Sequence, residues 1–583
     1  MSQRGMRDRT RLARFAAGQA GRAMVSRLLR SRLLRWRFGP LADRLILVPQ
    51  DLRTGDPSFA SELAYGQMGL AGVSASLAER SPFEVPPPSE AWERTLHGFG
   101  WLRHMKAARS DRHRDAARKL VARWVELEQQ SRLSGLAFES EVVARRIISW
   151  LSHAPLLLEG VDQAHYAAVL ESLGRQVQRL ATSRTSSRQG YPRLLAATAL
   201  LLAALTISEQ ERHLEEHTRN FLAELEDQLL DDGGHVSRNP AVLVDILLDL
   251  LPLRQCFLAR GLAPPETLLA AIPRMILMLR YLRLGDGSLA RFNGVGAARS
   301  DHLATVLAYD DPQARPLLAA QPSRYVRLQR RRTVVVMDVG GPPPLELAGE
   351  AHSGCLSFEM SSGRHVLIVN CGSPGTSGDK ARAAARATAA HSTLCLDEKS
   401  SSSLVESRLF ERSIGALPIE GPPTVSARLK DEDGSMSIDA AHDGYLARYG
   451  LIHSREILLD ALGERVDGYD RLDPDKGVLR LAHDVPFAIH FHLHPDILLH
   501  VDASPSTVTL ETRSGELWQF SAPGVPLSIE ESTYHGDLSG PRKSVQIVLR
   551  GACPGSTQLR WTLIRDASAK PRAGADGSTA GDA

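Results

Sequence analysis

Three side chains with donor chemistry, His352, Asn370 and His391, lie at the margins of strand-like runs between Glu350 and Asp397. The runs CLSFEM and HVLIVNCG are short, apolar and rich in β-branched residues. Ser361, Ser362 and Gly363 between them predict a hairpin, with His352 just before its first strand and Asn370 ending its second. ATAAHSTLCLD predicts a third strand with His391 near its start. The three side chains then converge at one end of a sheet, where they can hold a metal or a substrate, imidazole being the usual zinc donor. Histidines beside strands also serve as hydrogen-bonded structural residues, and the residues alone leave both readings open.

Elements of two kinds must position this group. Between about residues 90 and 320 the segments RDAARKLVARWVELEQ, EVVARRIISWLSHAPLLL, HYAAVLESLGRQVQRLA, RLLAATALLLAALT, ERHLEEHTRNFLAELEDQLL and AVLVDILLDLLPLRQCFLARG repeat apolar residues near a period of 3.6. They predict consecutive antiparallel helix hairpins. From about residue 325 the pattern changes to strands, among them RTVVVMDVG, HSREILLDA, FAIHFHLHP, ELWQFSA and SVQIVLRG, separated by Gly, Pro and Asp. A length of 583 residues with 43% hydrophobic residues supports two large domains. The fold class expected is multidomain α+β, an incomplete (α/α) toroid followed by an antiparallel β-sandwich. The boundaries are a basic arm at 1–45, the toroid at 46–322, the β domain at 323–565 and a disordered tail at 566–583.

Charge is concentrated at one end. The first forty residues hold eleven arginines against Asp8, so the net charge of +3 leaves about −7 on the remainder. AMVSRLLRSRLLRWRF mixes leucines and Trp36 with arginine, which suits contact with an anionic membrane surface and equally suits a solvated arm. Arginines interrupt every apolar run there, and no run of 18 apolar residues occurs, so neither a cleaved signal peptide nor a spanning helix is expected. Nucleic acid is not an expected partner, and oligomeric state is not legible. The five cysteines are scattered inside apolar runs and read as buried thiols.

AHSGCLSFEM, LIVNCG and AAHSTL together resemble the C-terminal signature of the heparinase II/III family of polysaccharide lyases. The resemblance extends to LHGFGWLRHM, ARRIISWL, DDGGHVSRNPAVLVDILLDLLPLRQ, GDGSLARFNG and HFHLHPDI, and so covers most of residues 90–565. It implies the toroid and sandwich just described and an acidic polysaccharide as substrate. It also implies a setting in the cell envelope or periplasm, which stands against the missing signal peptide and leaves the cytoplasm open.

Cleaving a 4-linked uronate by β-elimination needs a group that neutralises the carboxylate, a base for the C5 proton and an acid for the leaving oxygen. The loop DDGGHVSRNP offers the neutraliser: Gly233 and Gly234 turn the chain, and Pro240 suits a helix first turn, leaving Arg238 and Asn239 at its N-terminal end with His235 nearby. Asn239 matches the family's carboxylate-binding position approximately, and it reads equally as a helix cap. The resemblance implies a tyrosine and a histidine for proton transfer. Here the chain departs, offering Tyr281 and then Phe292 and Asn293, so His352 and Tyr281 are the candidates. Family members resemble His-X-His-X-Asp before the LSFE run; this chain has Glu350, His352 and Gly354 there. The same resemblance makes His352, Asn370 and His391 the counterparts of a structural zinc triad, with Asn370 replacing its carboxylate, so zinc affinity should be weakened or lost. His490, His492 and His494 alternate on one strand face and are expected to be structural.

Three functions are compatible with these residues. The first is a lyase for an acidic polysaccharide, using Asn239, His235 or Arg238 on the carboxylate, and His352, Tyr281 and Glu350 about the reacting bond. The second is a catalytically altered relative that binds or guides an envelope glycan. The third is a toroid glycoside hydrolase, for which Asp231, Asp232, Asp286 and Glu350 are available but no spacing selects a pair.

Overall fold

The computed structural model describes residues 18, 21, 42–184, 187–375, 379–404, 419–475, 484–501 and 506–566. Nearly all of the arginine-rich arm, and the tail from residue 567, lie outside the described residues. The chain forms two compact units, one of residues 1–229, 244–276 and 301–312, the other of residues 230–243, 277–300 and 313–583. The segments carrying Asn239 and Asn293 therefore belong with the strands.

The first unit is helical, an incomplete (α/α) toroid. Its helices include Asp111–Gln129, Ser140–Ser152, Gln163–Ser183, Tyr191–Thr206 and Leu214–Gln228. Tyr191–Thr206 is apolar on every side, and it is correspondingly buried from Leu194 to Thr206. Polar starts are capped: Ser89 accepts from the Trp92 N–H and Asp162 from the His165 N–H. EVVARRIISWLSHAPLLL, expected as one helix, breaks at His153 into Ser140–Ser152 and Ala154–Leu158, because Pro155 supplies no N–H to continue the ladder. The helix Glu266–Tyr281 was not legible in the periodicity, with Pro273 inside it.

The second unit holds two eight-stranded antiparallel sheets. One runs, in spatial order, Val425–Glu432, Ser435–His442, Leu451–Leu459, Arg465–Pro474, Thr557–Arg565, Leu517–Ser521, Thr507–Glu511, Leu498–Val501. The other runs Leu527–Tyr534, Arg542–Cys553, Val485–Leu493, His365–Val369, Phe358–Ser362, Thr333–Asp338, Tyr325–Arg330, with Leu394–Leu396 also paired to Val485–Leu493. Strict alternation along Leu451–Leu459 turns one side chain in two toward the core. A single apolar cluster joins both sheets, from Val335, Phe358 and Phe491 to Ile457, Trp518 and Trp561. Phe358 stacks on Trp561 at 5.5 Å between centroids.

One ionic group crosses this core. Arg455 and Asp470 are direct cross-strand partners and fully buried, joined at 2.8 and 3.0 Å, and Asp470 also accepts from His453 and from the Trp561 indole N–H. Arg455 reaches further, donating to the carbonyls of Leu356 and Ser392. It thereby ties the sheet to the loops on either side of the histidine pair. The five cysteines are free and buried. No described helix is long and apolar enough to cross a membrane.

Candidate functional site

The hairpin expected between CLSFEM and HVLIVNCG forms as Phe358–Ser362 paired with His365–Val369, turning at Gly363, so Ser361 and Ser362 are buried strand residues and not part of the turn. Asn370 follows the second strand directly. His352 stands in the loop six positions before the first strand, and His391 follows the short turn Thr388–Ala390 ahead of Leu394–Leu396. All three side chains are buried.

His352 and His391 meet, Nδ1 to Nε2, at 3.0 Å. The carbonyl of Ala387 lies 2.8 Å from Nδ1 of His391 and can only accept, which fixes the proton of His391 on Nδ1. Its Nε2 is then a lone pair, so Nδ1 of His352 donates to it and Nε2 of His352 carries the remaining lone pair. Burial pushes the pKa of His391 down to about 4 and that of His352 well below its ordinary value, the latter helped by His391 and Arg386. Both rings are neutral at pH 7.

Asn370 takes no part in that contact. Its Oδ1 accepts from the Ser392 N–H at 2.9 Å and its Nδ2 donates to the Arg291 carbonyl at 3.3 Å. The expected zinc triad therefore reduces to two imidazoles hydrogen-bonded to each other and an amide engaged elsewhere. No group of three His, Cys, Asp or Glu suited to a metal occurs among the described residues. Two imidazoles fall short of the three protein ligands of the usual zinc site. Gly354 follows from the same packing: a Cβ there would lie 2.7 Å from Cδ2 of His391, leaving no room for an aspartate.

The loop at residues 231–239 folds as its glycines require. Gly233 has φ +86°, and a Cβ on Gly234 would lie 1.8 Å from Oγ of Ser323. Asp232 holds the loop, accepting from Gly234 N–H and from both donors of Ser323. Pro240 opens the next helix and Asn239 caps it, Oδ1 accepting from Ala241 N–H at 3.0 Å. The Nδ2 end of Asn239 points toward Gly294 (φ +103°), where a Cβ would lie 2.9 Å from it and 3.2 Å from Cβ of Glu350. Asn239, Gly294 and the exposed Glu350 thus border one spot.

Arg238 is differently engaged. Its guanidinium donates to the carbonyls of Ser323, Gly341 and Arg324 and pairs with the buried Asp338, so it braces the loop. His235 accepts at Nδ1 from the Ser237 N–H, and burial pushes its pKa down to about 4. Tyr281 accepts from the Arg327 N–H at 2.9 Å, and burial raises its pKa, the behaviour of a structural phenol. Among the described residues no hydrogen bond connects it to His352 or Asn239. Asp286 accepts from both donors of Ser288 in a surface turn. His490 and His492 stack on one strand face at 6.0 Å, bonded to Gln546 and to Ser532 and the Ala389 carbonyl, as structural histidines.

Three residues here were not singled out as functional in the sequence. Asn293, in the left-handed region at φ +49°, donates to the Tyr325 hydroxyl and to Asp338 and accepts from the His352 N–H. The Tyr325 hydroxyl donates to the Arg238 carbonyl, and burial raises its pKa. Asp338 ends an apolar strand, VVVMD, and a lone carboxylate in that position was the signal available. The network joins the Asn239 loop to the His352 loop.

Residues 312–562 match the family model for the heparinase II/III-like C-terminal domain. FtsZ-localized protein C of Caulobacter vibrioides is 30% identical over 537 residues, 90% of this chain and 91% of that protein. A crystal structure of heparinase III matches with TM-score 0.69 at 12% identity, over 91% of this chain and 88% of the other. That of a heparan sulfate lyase HepC mutant from Pedobacter heparinus matches with TM-score 0.60 at 16% identity, over 95% and 89%. At such identities the two structures establish a shared fold.

Proposed function

This chain belongs to the heparinase II/III-like family, and from that premise we propose that it binds an acidic, uronate-bearing glycan of the cell envelope without cleaving it. The observation that carries the reading is the closed proton network. Elimination needs a base near neutrality and an acid within reach of the leaving oxygen. Where the resemblance expects a tyrosine the chain has Phe292 and Asn293, and Asn293 is held by Tyr325, Asp338 and the His352 backbone. The hydroxyl of Tyr325 is committed to a carbonyl. The Nδ1–H of His352 is engaged by His391, and its low pKa makes its remaining lone pair a weak base. The amide of Asn239 lies beside Gly294 and the exposed Glu350, polar groups that suit hydrogen bonding to a sugar.

Incubation with a panel of acidic polysaccharides tests this by ultraviolet absorbance of unsaturated uronate. A flat trace with binding retained is expected; a rise that His352→Ala abolishes overturns it and identifies a lyase working through Nε2 of His352. A second element comes from the relative whose name places it at FtsZ. Identity across nearly the whole of both chains supports the same location for this protein, so a fluorescent fusion in Caulobacter vibrioides is expected to coincide with FtsZ.

A further inference from the structure

The β-rich unit carries a second concavity, a cavity of 720 Å³ walled by Arg280, Arg283, Arg327, Arg330 and Arg331, with Asp431 the acid in its lining. It shares only Tyr281 with the candidate residues above. Asp431 is already matched by Arg330, whose guanidinium also donates to the carbonyls of Gly434 and Ser435. Arg283, Arg327 and Arg331 also line the cavity, whose wall holds no second carboxylate. Arg327 shows the consequence. Its donors go to neutral oxygens, the carbonyls of Tyr281 and Arg283 and the Gln329 side chain, and burial together with the Arg283 charge pushes its pKa down to about 10. Like charges gathered in a concave wall favour an anion that supplies the missing counter-charge.

The remainder of the wall is aliphatic, including Leu284, Leu317, Leu318 and Met436, and Leu318 is 85% exposed. Tyr281 is the aromatic residue of the lining, and its hydroxyl is anchored. Flat aromatic faces on which sugar rings pack are thus scarce, whereas paired carboxylates and an aliphatic side chain find direct partners. The strand Tyr325–Arg330 ends its sheet, but the N–H groups of Arg327 and Gln329 already bond to the Tyr281 hydroxyl and the Met436 sulfur. Recognition there runs through side chains and not by adding a strand.

We infer that this cavity docks an acidic peptide segment of a partner protein, with carboxylates on the arginines and a neighbouring aliphatic side chain against Leu318 and Met436. The inference is independent of the glycan reading. The probe is a fluorescein-labelled peptide of repeating Asp-Asp-Leu, with a Lys-Lys-Leu counterpart, titrated into the full-length protein. Saturable binding is expected for the acidic peptide, weakened about tenfold or more by Arg331→Glu combined with Arg283→Gln, weakened by Leu318→Ser, and reduced by salt. Arg331 is exposed on the turn between two strands, so the single Arg331→Glu variant keeps the comparison sound if the double variant is unstable. Binding that ignores these substitutions, that equals the lysine peptide, or that oligogalacturonate displaces at lower concentration than unlabelled acidic peptide overturns the inference.

Discussion

Nδ1 of His352 donates to Nε2 of His391 across 3.0 Å, and the direction of that bond is set by a carbonyl, that of Ala387, on the far side of the second ring. Replacing His391 by Ala leaves a buried N–H on His352 with no acceptor. A loss of about 1–3 kcal/mol is expected, read as a lower urea midpoint. His391→Gln, which can restore an acceptor, should recover part of it. Equal stability of the Ala variant and the parent would show that the pair is not formed.

The same geometry bears on metal content. With Asn370 bonded to Ser392 and Arg291, the chain offers zinc two imidazoles and no carboxylate. Protein dialysed against zinc and then against buffer should retain well under one equivalent by elemental analysis, and chelator should leave its melting temperature unchanged. One tightly held equivalent, lost in His391→Ala, would contradict the assignment.

Acid should destabilise the β-rich unit in a defined window. His235, His391 and His492 have folded pKa values pushed down to about 4, chiefly by burial, against about 6.5 when unfolded. Between these values the unfolded chain binds protons that the folded one refuses, so stability is full above pH 6.5 and falls as pH drops toward 4. Each contributes on the order of 3 kcal/mol at most. Melting temperature should therefore fall steeply from pH 6.5 to 4, and His391→Gln should flatten the slope; a level profile would place these rings in solvent.

Much of this architecture was legible because its signals are local. The 3.6-residue period marked the helices and the change to period two marked the sheets; Gly233, Gly234 and Pro240 specified a turn entering a helix. What stayed hidden were partnerships between distant residues. Arg238 looked like a ligand donor because its ion pair with Asp338 spans a hundred positions. Tyr281 looked available because its acceptor role toward Arg327 depends on a strand that follows much later. The expected convergence of three donors reduced to two because Asn370, in place on its strand, turns its amide to Ser392 and Arg291.

The pair Arg455 and Asp470 has no water to fall back on. Asp470→Asn removes the charge that offsets Arg455 and weakens the acceptor for His453 and Trp561. Removing one member of a buried ion pair costs about 3–5 kcal/mol. Trp561 fluorescence should shift with the loss, and because Arg455 also holds the carbonyls of Leu356 and Ser392, glycan binding should weaken too. Full stability of the Asn variant would mean that the pair is solvated.

Asn239 carries two roles that substitution can separate. Its Oδ1 caps the helix opened by Pro240, while its Nδ2 faces Gly294 and Glu350. Asn239→Asp keeps the cap, so stability should change by no more than about 0.5 kcal/mol. It replaces the amide donor by a second acceptor beside Glu350, so binding of a uronate polymer should fall tenfold or more. Asn239→Ala should lose both, about 1 kcal/mol of stability along with binding. If the Asp variant binds as the parent does while Ala is merely less stable, Asn239 is a helix cap alone and the glycan meets the protein elsewhere.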